Sequence, residues 1–173
     1  KIYYGKSKSK SPIKSLIKTY SIVRKCAYKV VFRCSEHPIS ALDLLAAKIA
    51  GARVRMIRST NTSAGGGRVV NFLAGIFRPM LNKIATVRIS PSTEAGDWLF
   101  GQSMMSTGKV SILKNGIELD KFVFNQKIRE RVRENLSLND KLVVGHVGRF
   151  TKQKNHRFLL DVFAELVKIE PSA

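Results

Sequence analysis

The stretch "GHVGRFTKQKNH" (145–156) joins two segments with different hydrophobic patterns. Before it lies an apolar run at 142–144, and after it "RFLLDVFAELV" (157–167) has apolar residues at helical spacing. This pattern predicts a strand over 141–147, a glycine turn, and a helix over 155–168. In a parallel sheet such a turn lies at the carboxyl edge, where α/β proteins bind their ligands.

The side chains of this turn suit an anion. Gly148 permits a tight turn, Arg149 offers a planar fork for phosphate oxygens, and Lys154 offers a point charge. Asn155 is expected to cap the next helix, whose free amides also favour anions. Neither the Walker spacing nor the dinucleotide glycine pattern is present. A phosphate or diphosphate site and a basic loop without a ligand are both compatible with these residues.

The rest of the chain also alternates between strand and helix patterns. Strands are predicted over 28–34, 53–59, 86–90 and 109–115, and helices from Pro12 and over 38–51, 69–85, 92–101 and 126–136. The alternation predicts an α/β protein with Rossmann-like parallel sheets and helices on both faces. The strand over 28–34 is expected to be buried, and the helix over 69–85 to be kinked or interrupted at Pro79.

The positive charge is concentrated in the first half. The net charge is +19; residues 1–90 hold 18 Lys/Arg and 2 Asp/Glu, and residues 91–173 hold 13 and 10. This asymmetry indicates nucleic acid or anionic lipid as a partner, or simply a solvated basic surface. Nucleic acid is disfavoured, because aromatic residues are not interleaved with the basic ones. The helix from Pro12 has an apolar face that could pack on its own sheet or lie on a membrane: Ile13, Leu16, Ile17, Tyr20 and Val23.

Four segments together resemble a known family. They are the 145–156 stretch with its helix, "STEAGDWLFG" (92–101), "VSILKNGIELDKFVF" (110–124) and "DLLAAKIAGARVRMIRSTNTSAG" (43–65). They resemble family 4 glycosyltransferases of bacterial capsular and exopolysaccharide synthesis, over most of residues 28–170. The resemblance implies parts of the two domains of a GT-B fold: an acceptor-side domain over 1–115, a connector over 116–125 and the start of the donor domain over 126–173.

The resemblance also implies an activity. A sugar would pass, with retention, from a nucleotide-diphosphate sugar to a glycan or a polyprenyl-diphosphate-linked acceptor. Gly148, Arg149 and Lys154 would hold the donor diphosphate, and no metal or other cofactor is expected. The protein would be cytoplasmic and could act at the inner face of the cell membrane. The family's Glu-x7-Glu motif is expected beyond Ala173, so these residues alone are not expected to catalyse transfer.

The chain departs from the family where relatives often have histidines. Arg58 and Thr60 stand at those positions, and Arg58 cannot act as a base at neutral pH. No catalytic residue is assigned. The acceptor and donor sugars could instead contact Asn61, Thr62, Ser63, His146 and Asn155. Alternatively, this loop satisfies its own backbone and the protein is a weak, scaffolding relative.

Three other residues and the cysteines have less specific expectations. Glu36 and His37 could face the cleft; alternatively, His37 acts as a local cap. Trp98 is expected in the core. Cys26 and Cys34 are expected to be reduced structural thiols, since their spacing fits no zinc site.

Overall fold

The computed structural model describes residues 11–62 and 67–173. The chain divides into two compact units, Lys1–Gly116 and Ile117–Ala173.

The first unit alternates helices with the strands of one parallel sheet, in the order β1-β2-β3-β4. Its strands are β1 Val30–Ser35, β2 Val54–Ser59, β3 Val87–Ser90 and β4 Ser111–Ile112. Its helices are α1 Pro12–Lys25, α2 Ala41–Ile49, α3 Arg68–Ile84, α4 Thr93–Phe100 and α5 Gln102–Ser106, with a 3-10 turn at Pro38–Ser40 before α2. The prediction of an α/β, Rossmann-like protein with a parallel sheet is confirmed.

Local chemistry explains several of the boundaries. Pro12 opens α1, where its missing N–H costs no hydrogen bond. The side chain of Ser92 accepts a hydrogen bond from the Ala95 N–H and caps α4, as predicted. Gly51, with φ +103°, follows α2 in a conformation that side chains disfavour. The helices therefore begin and end close to where the sequence indicates.

The core lies between the sheet and the helices. Ile57 in the middle of β2 is fully buried against apolar residues from three helices, among them Leu44, Leu81, Leu99 and Phe100. A smaller cluster joins the end of α1 to α2 through Val23, Ala47 and Ala50. Because side chains alternate along a strand, the neighbours of Ile57 point to the other face of the sheet.

The prediction that residues 28–34 form a buried strand is wrong. β1 is the edge strand in the described part of the sheet, and Val30 and Phe32 are 56% and 53% exposed. A parallel strand is buried only when it has neighbours on both edges and cover on both faces, which a hydrophobic run alone does not guarantee.

Pro79 does not interrupt α3, contrary to one of the two predicted outcomes. The helix runs from Arg68 to Ile84 with Pro79 inside it. Because proline has no N–H, the Gly75 carbonyl loses its usual hydrogen-bond donor. Gly75 and Pro79 are both exposed. Water can hydrogen-bond this carbonyl, so the helix continues past the proline.

The second unit consists of two longer helices, two short 3-10 turns at Leu119–Phe122 and Lys152–Lys154, and irregular segments. α6 spans Gln126–Asn135 and is capped by the Asn125 side chain, which accepts from the Ile128 N–H. α7 spans His156–Ile169. The predicted strand over 141–147 is not formed; the Leu142 N–H instead donates to the Ser172 carbonyl. A strand requires a neighbouring strand, and the described residues of this unit contain none.

Candidate functional site

The predicted anion loop is organised around Gly148. A methyl group added to Gly148 would lie 2.9 Å from Nε2 of His146 and 3.4 Å from Cγ of Lys154. The glycine therefore permits a close approach that no other residue would allow without displacing a neighbour. This contact brings the side chains of His146 and Lys154 to the same turn.

His156 connects the loop to α7. One of its ring nitrogens, Nε2, lies 2.9 Å from the Arg149 carbonyl oxygen, and its ring contacts those of His146 and Phe150 at centroid distances of 4.9 and 4.7 Å. Beside these rings is an open cleft of about 470 Å³. The cleft is lined by His146, Val147, Gly148, Phe150, His156, Leu159 and Leu160.

Arg149 and Lys154 have uncommitted side chains. Both are exposed, and neither side chain forms a hydrogen bond or ion pair with another described residue. The 14-residue helix α7 begins two residues after Lys154, and its first amides carry partial positive charge. The loop thus presents two free cations and a helix amino terminus, which is an arrangement that can bind an anion.

Asn155 does not cap α7 through its side chain, so that prediction is wrong. Its backbone is left-handed, with φ +45°, and no side-chain cap hydrogen bond is formed. A capping side chain normally comes from a residue with extended backbone. Asn155 instead ends the 3-10 turn at Lys152–Lys154, a role that asparagine tolerates well.

In the first unit, serines end three neighbouring strands. Ser59 and Ser90 are fully buried, and their hydroxyls donate to the Ala95 and Ser92 carbonyls, both at 2.6 Å. Ser35 donates to the His37 carbonyl at 3.0 Å. These hydroxyls hold the loops at the carboxyl edge of the sheet.

His37 is a local cap, which was one of its two expected roles. Its Nδ1 accepts from the Ile39 N–H at 3.1 Å, so Nε2 carries the proton of the neutral ring and donates to the Val70 carbonyl at 3.0 Å. Trp98 is only partly buried and donates from Nε1 to the Glu36 carbonyl at 2.6 Å. Both side chains therefore fix the loop after β1.

Arg58 has a structural contact that the sequence did not indicate. Its Nη2 donates to the Asn115 side-chain oxygen at 2.5 Å and to the Leu113 carbonyl at 3.3 Å. The guanidinium thereby links the end of β2 to the segment after β4. Asparagine followed by glycine at 115–116 was a turn signal, but no sequence pattern pairs it with Arg58.

The loop after β2 partly satisfies its own backbone. Thr60 is exposed, and its N–H donates to the Ser35 carbonyl. The Asn61 side chain accepts from the Thr62 N–H at 2.9 Å. Ser63 lies outside the described residues. Asn61 and Thr62 therefore lie at the predicted sheet edge, with the Asn61 oxygen turned towards its own chain.

Many arginines of the first unit are used internally. Arg55, Arg78 and Arg88 donate to backbone carbonyls near helix ends, and Arg33 forms an ion pair with Asp43 at 3.3 Å. Burial also lowers the pKa of Arg88. Part of the positive charge of this half thus stabilises the fold and is unavailable to an external polyanion.

The described residues show no assembled metal site and no membrane-spanning helix. No group of three or more His, Cys, Asp or Glu among residues 11–62 and 67–173 is placed to hold a metal ion. Within those ranges, no helix combines the length and the apolar character needed to cross a bilayer. Cys26 and Cys34 form no disulfide bond in this part of the chain.

Comparison with known proteins adds one relative. No family model and no solved structure matches the chain. The chain is 38% identical over 125 residues to "Putative glycosyltransferase EpsF" of Bacillus subtilis (strain 168), an alignment that covers 70% of this chain and 33% of the relative. The chain thus spans about a third of the length of the curated relative that it matches. This similarity supports a glycosyltransferase relationship for the chain.

Proposed function

We propose that the chain is part of a retaining glycosyltransferase. The enzyme takes a sugar from a nucleotide-diphosphate donor and transfers it to a glycan or polyprenyl-diphosphate-linked acceptor in polysaccharide biosynthesis. The observation that carries the proposal is the pair of uncommitted cations, Arg149 and Lys154, beside Gly148 at the start of α7. The similarity to a bacterial glycosyltransferase supports the reaction class.

The loop would act on the leaving group. When the bond between sugar and phosphate breaks, negative charge grows on the departing diphosphate. Arg149 can donate two parallel hydrogen bonds to phosphate oxygens, while Lys154 supplies a compact charge. Fixed cations aimed at developing charge stabilise the transition state more than the ground state. This pair, with the α7 amides, can neutralise the diphosphate without a metal ion.

The acceptor would bind at the carboxyl edge of the first unit's sheet. Asn61 and Thr62 follow β2 there, next to the His37 loop. A lipid-linked acceptor would place the protein in the cytoplasm at the inner face of the membrane. Arg58 stands where relatives often have a histidine, and through its hydrogen bond to Asn115 it would serve the fold.

The test is sugar transfer by the whole protein that carries this chain. Labelled nucleotide sugars would be supplied with a membrane extract as acceptor, and the anomeric configuration of the product would be read by proton NMR. We expect one donor to be consumed with retention. Arg149→Ala should lower the rate at least about tenfold, as expected for loss of a charged contact to the leaving group.

Arg131→Ala is the matched control. Arg131 is exposed on α6 of the same unit and has no side-chain partner among the described residues, so its removal changes the charge equally. Transfer should be unaffected. The absence of transfer from every nucleotide sugar, or equal rates for the two variants, would refute the proposal.

A further inference from the structure

The outward face of α3 carries an exposed apolar stripe. Val69, Phe72 and Ile76 are 70%, 68% and 53% exposed. Their spacings of three and four residues place them on one side of the helix. Three large apolar side chains in a row are unusual on a solvated helix and indicate an interaction surface.

The position of α3 makes this exposure informative. Its opposite face is packed into the core through Ala74, Leu81 and Ile84. It contacts α2 on one side and α4 on the other. The stripe therefore projects from a helix inside the layer, away from the sheet. By contrast, Ile13 of α1 lies on an end helix of the layer, where another element could cover it.

All charged residues of α3 itself are basic. No Asp or Glu occurs between Asp43 and Glu94. Arg68 lies at the start of α3 and Lys83 in its last turn, and both are exposed. Lys83 is seven residues after Ile76 and so shares its side of the helix. Apolar side chains flanked by basic ones are typical of helices that lie in the surface of an anionic bilayer.

The stripe also lies near the proposed acceptor edge. His37 donates to the carbonyl of Val70, which ties the start of α3 to the loop after β1. We propose that the face formed by Val69, Phe72 and Ile76, the α3 stripe, docks on the surface of an anionic phospholipid bilayer. The inference deepens the proposed membrane location by naming the surface. It is tested without any sugar transfer, so the two proposals can fail separately.

The experiment is vesicle co-sedimentation of the 173-residue chain. One set of vesicles is phosphatidylcholine alone, and the other contains about one-third phosphatidylglycerol as the anionic lipid. The test variant is Phe72→Glu, with Ile76→Glu as a second variant on the same stripe. The control is Ile49→Glu, on an exposed position of α2, which adds the same charge elsewhere. Circular dichroism would establish that all variants are folded.

We expect the chain to bind the anionic vesicles and not the neutral ones. Phe72→Glu and Ile76→Glu should each lower the partition coefficient roughly tenfold, since each removes an inserted side chain and adds a repelled charge. Ile49→Glu should lower it less than about threefold. Lack of binding to anionic vesicles, or equal losses in all three variants, would overturn the proposal. The proposal would also be overturned if the chain bound duplex DNA more tightly than anionic vesicles at the same salt concentration and if Phe72→Glu did not change that binding. The basic face would then serve a nucleic acid.

Discussion

Replacing Arg58 by alanine tests whether this residue is a structural link. The substitution removes two hydrogen bonds from Nη2, to the Asn115 side chain and to the Leu113 carbonyl. It also removes Nε of Arg58, which is buried without a hydrogen-bond partner. Loss of the two hydrogen bonds destabilises the fold, whereas loss of the buried, unpaired Nε removes a desolvation cost. The net change in stability depends on the sizes of these two effects.

The magnitude follows from exposure. A hydrogen bond to a charged group contributes about 1.5–3 kcal/mol when it is well sheltered. Leu113 and Asn115 are exposed, so water can replace the lost donor, and the bond to Leu113 is long at 3.3 Å. With the relief at Nε as a further offset, we expect a net loss of about 1 kcal/mol in unfolding free energy. For a unit of this size that lowers the melting temperature by about 4–8 °C.

Thermal unfolding followed by circular dichroism measures this loss. Arg53→Ala is the matched control, because Arg53 is exposed and its side chain has no partner among the described residues. NMR of the Asn115 side-chain amide should report the broken contact in Arg58→Ala only. Melting temperatures that are the same in both variants would refute a structural role for Arg58. The hypothesis that it merely replaces a functional histidine would then regain support.

Three further predictions concern the loops and the start of α4. In Gly148→Ala the new methyl group would lie 2.9 Å from Nε2 of His146, so the ring must move. We expect UDP binding to weaken about tenfold and the unfolding free energy to change by less than about 1 kcal/mol. Equal UDP binding by the variant and the unmodified chain would contradict the close packing. His37→Ala removes both ring hydrogen bonds and should cost about 1–2 kcal/mol in urea denaturation, and an unchanged midpoint would contradict its capping role. Hydrogen bonds from the Glu94 backbone and from Ser92 lower the pKa of the Glu94 carboxyl group in the folded protein. The carboxylate therefore stabilises the fold at pH values above the pKa of Glu94 in the unfolded chain. This stabilisation is lost as the pH falls through the pKa of Glu94 in the folded protein. Glu94→Gln should therefore unfold with a shallower acid dependence, and an unchanged pH profile would argue against these bonds.

The fold was predictable where local signals and periodicity agree. The strands β1 to β3, the helices other than α5, the start of α1 at Pro12 and the Ser92 cap follow from such signals. Burial was less predictable, because it depends on neighbours. Val30 and Phe32 have the composition of a buried strand but lie in an edge strand, and residues 141–147 have no partner strand in their described unit.

The candidate site was predictable in its residue types but not in its contacts. Gly148, Arg149 and Lys154 remain predictions as ligands of a diphosphate; the side chains of Arg149 and Lys154 are exposed. The contact between Arg58 and Asn115 spans 57 residues of sequence, so no local pattern could indicate it. The left-handed conformation of Asn155 was likewise hidden, because asparagine suits both a helix cap and a left-handed turn.

The most direct test of the central claim is a UDP titration of the isotope-labelled chain, followed by its amide NMR signals. We expect shifts confined to Gly145–His156 that disappear in Arg149→Ala and persist in Arg131→Ala. A folded chain without shifts in this loop, or with the same shifts in both variants, would contradict the claim that Arg149 and Lys154 hold the donor diphosphate.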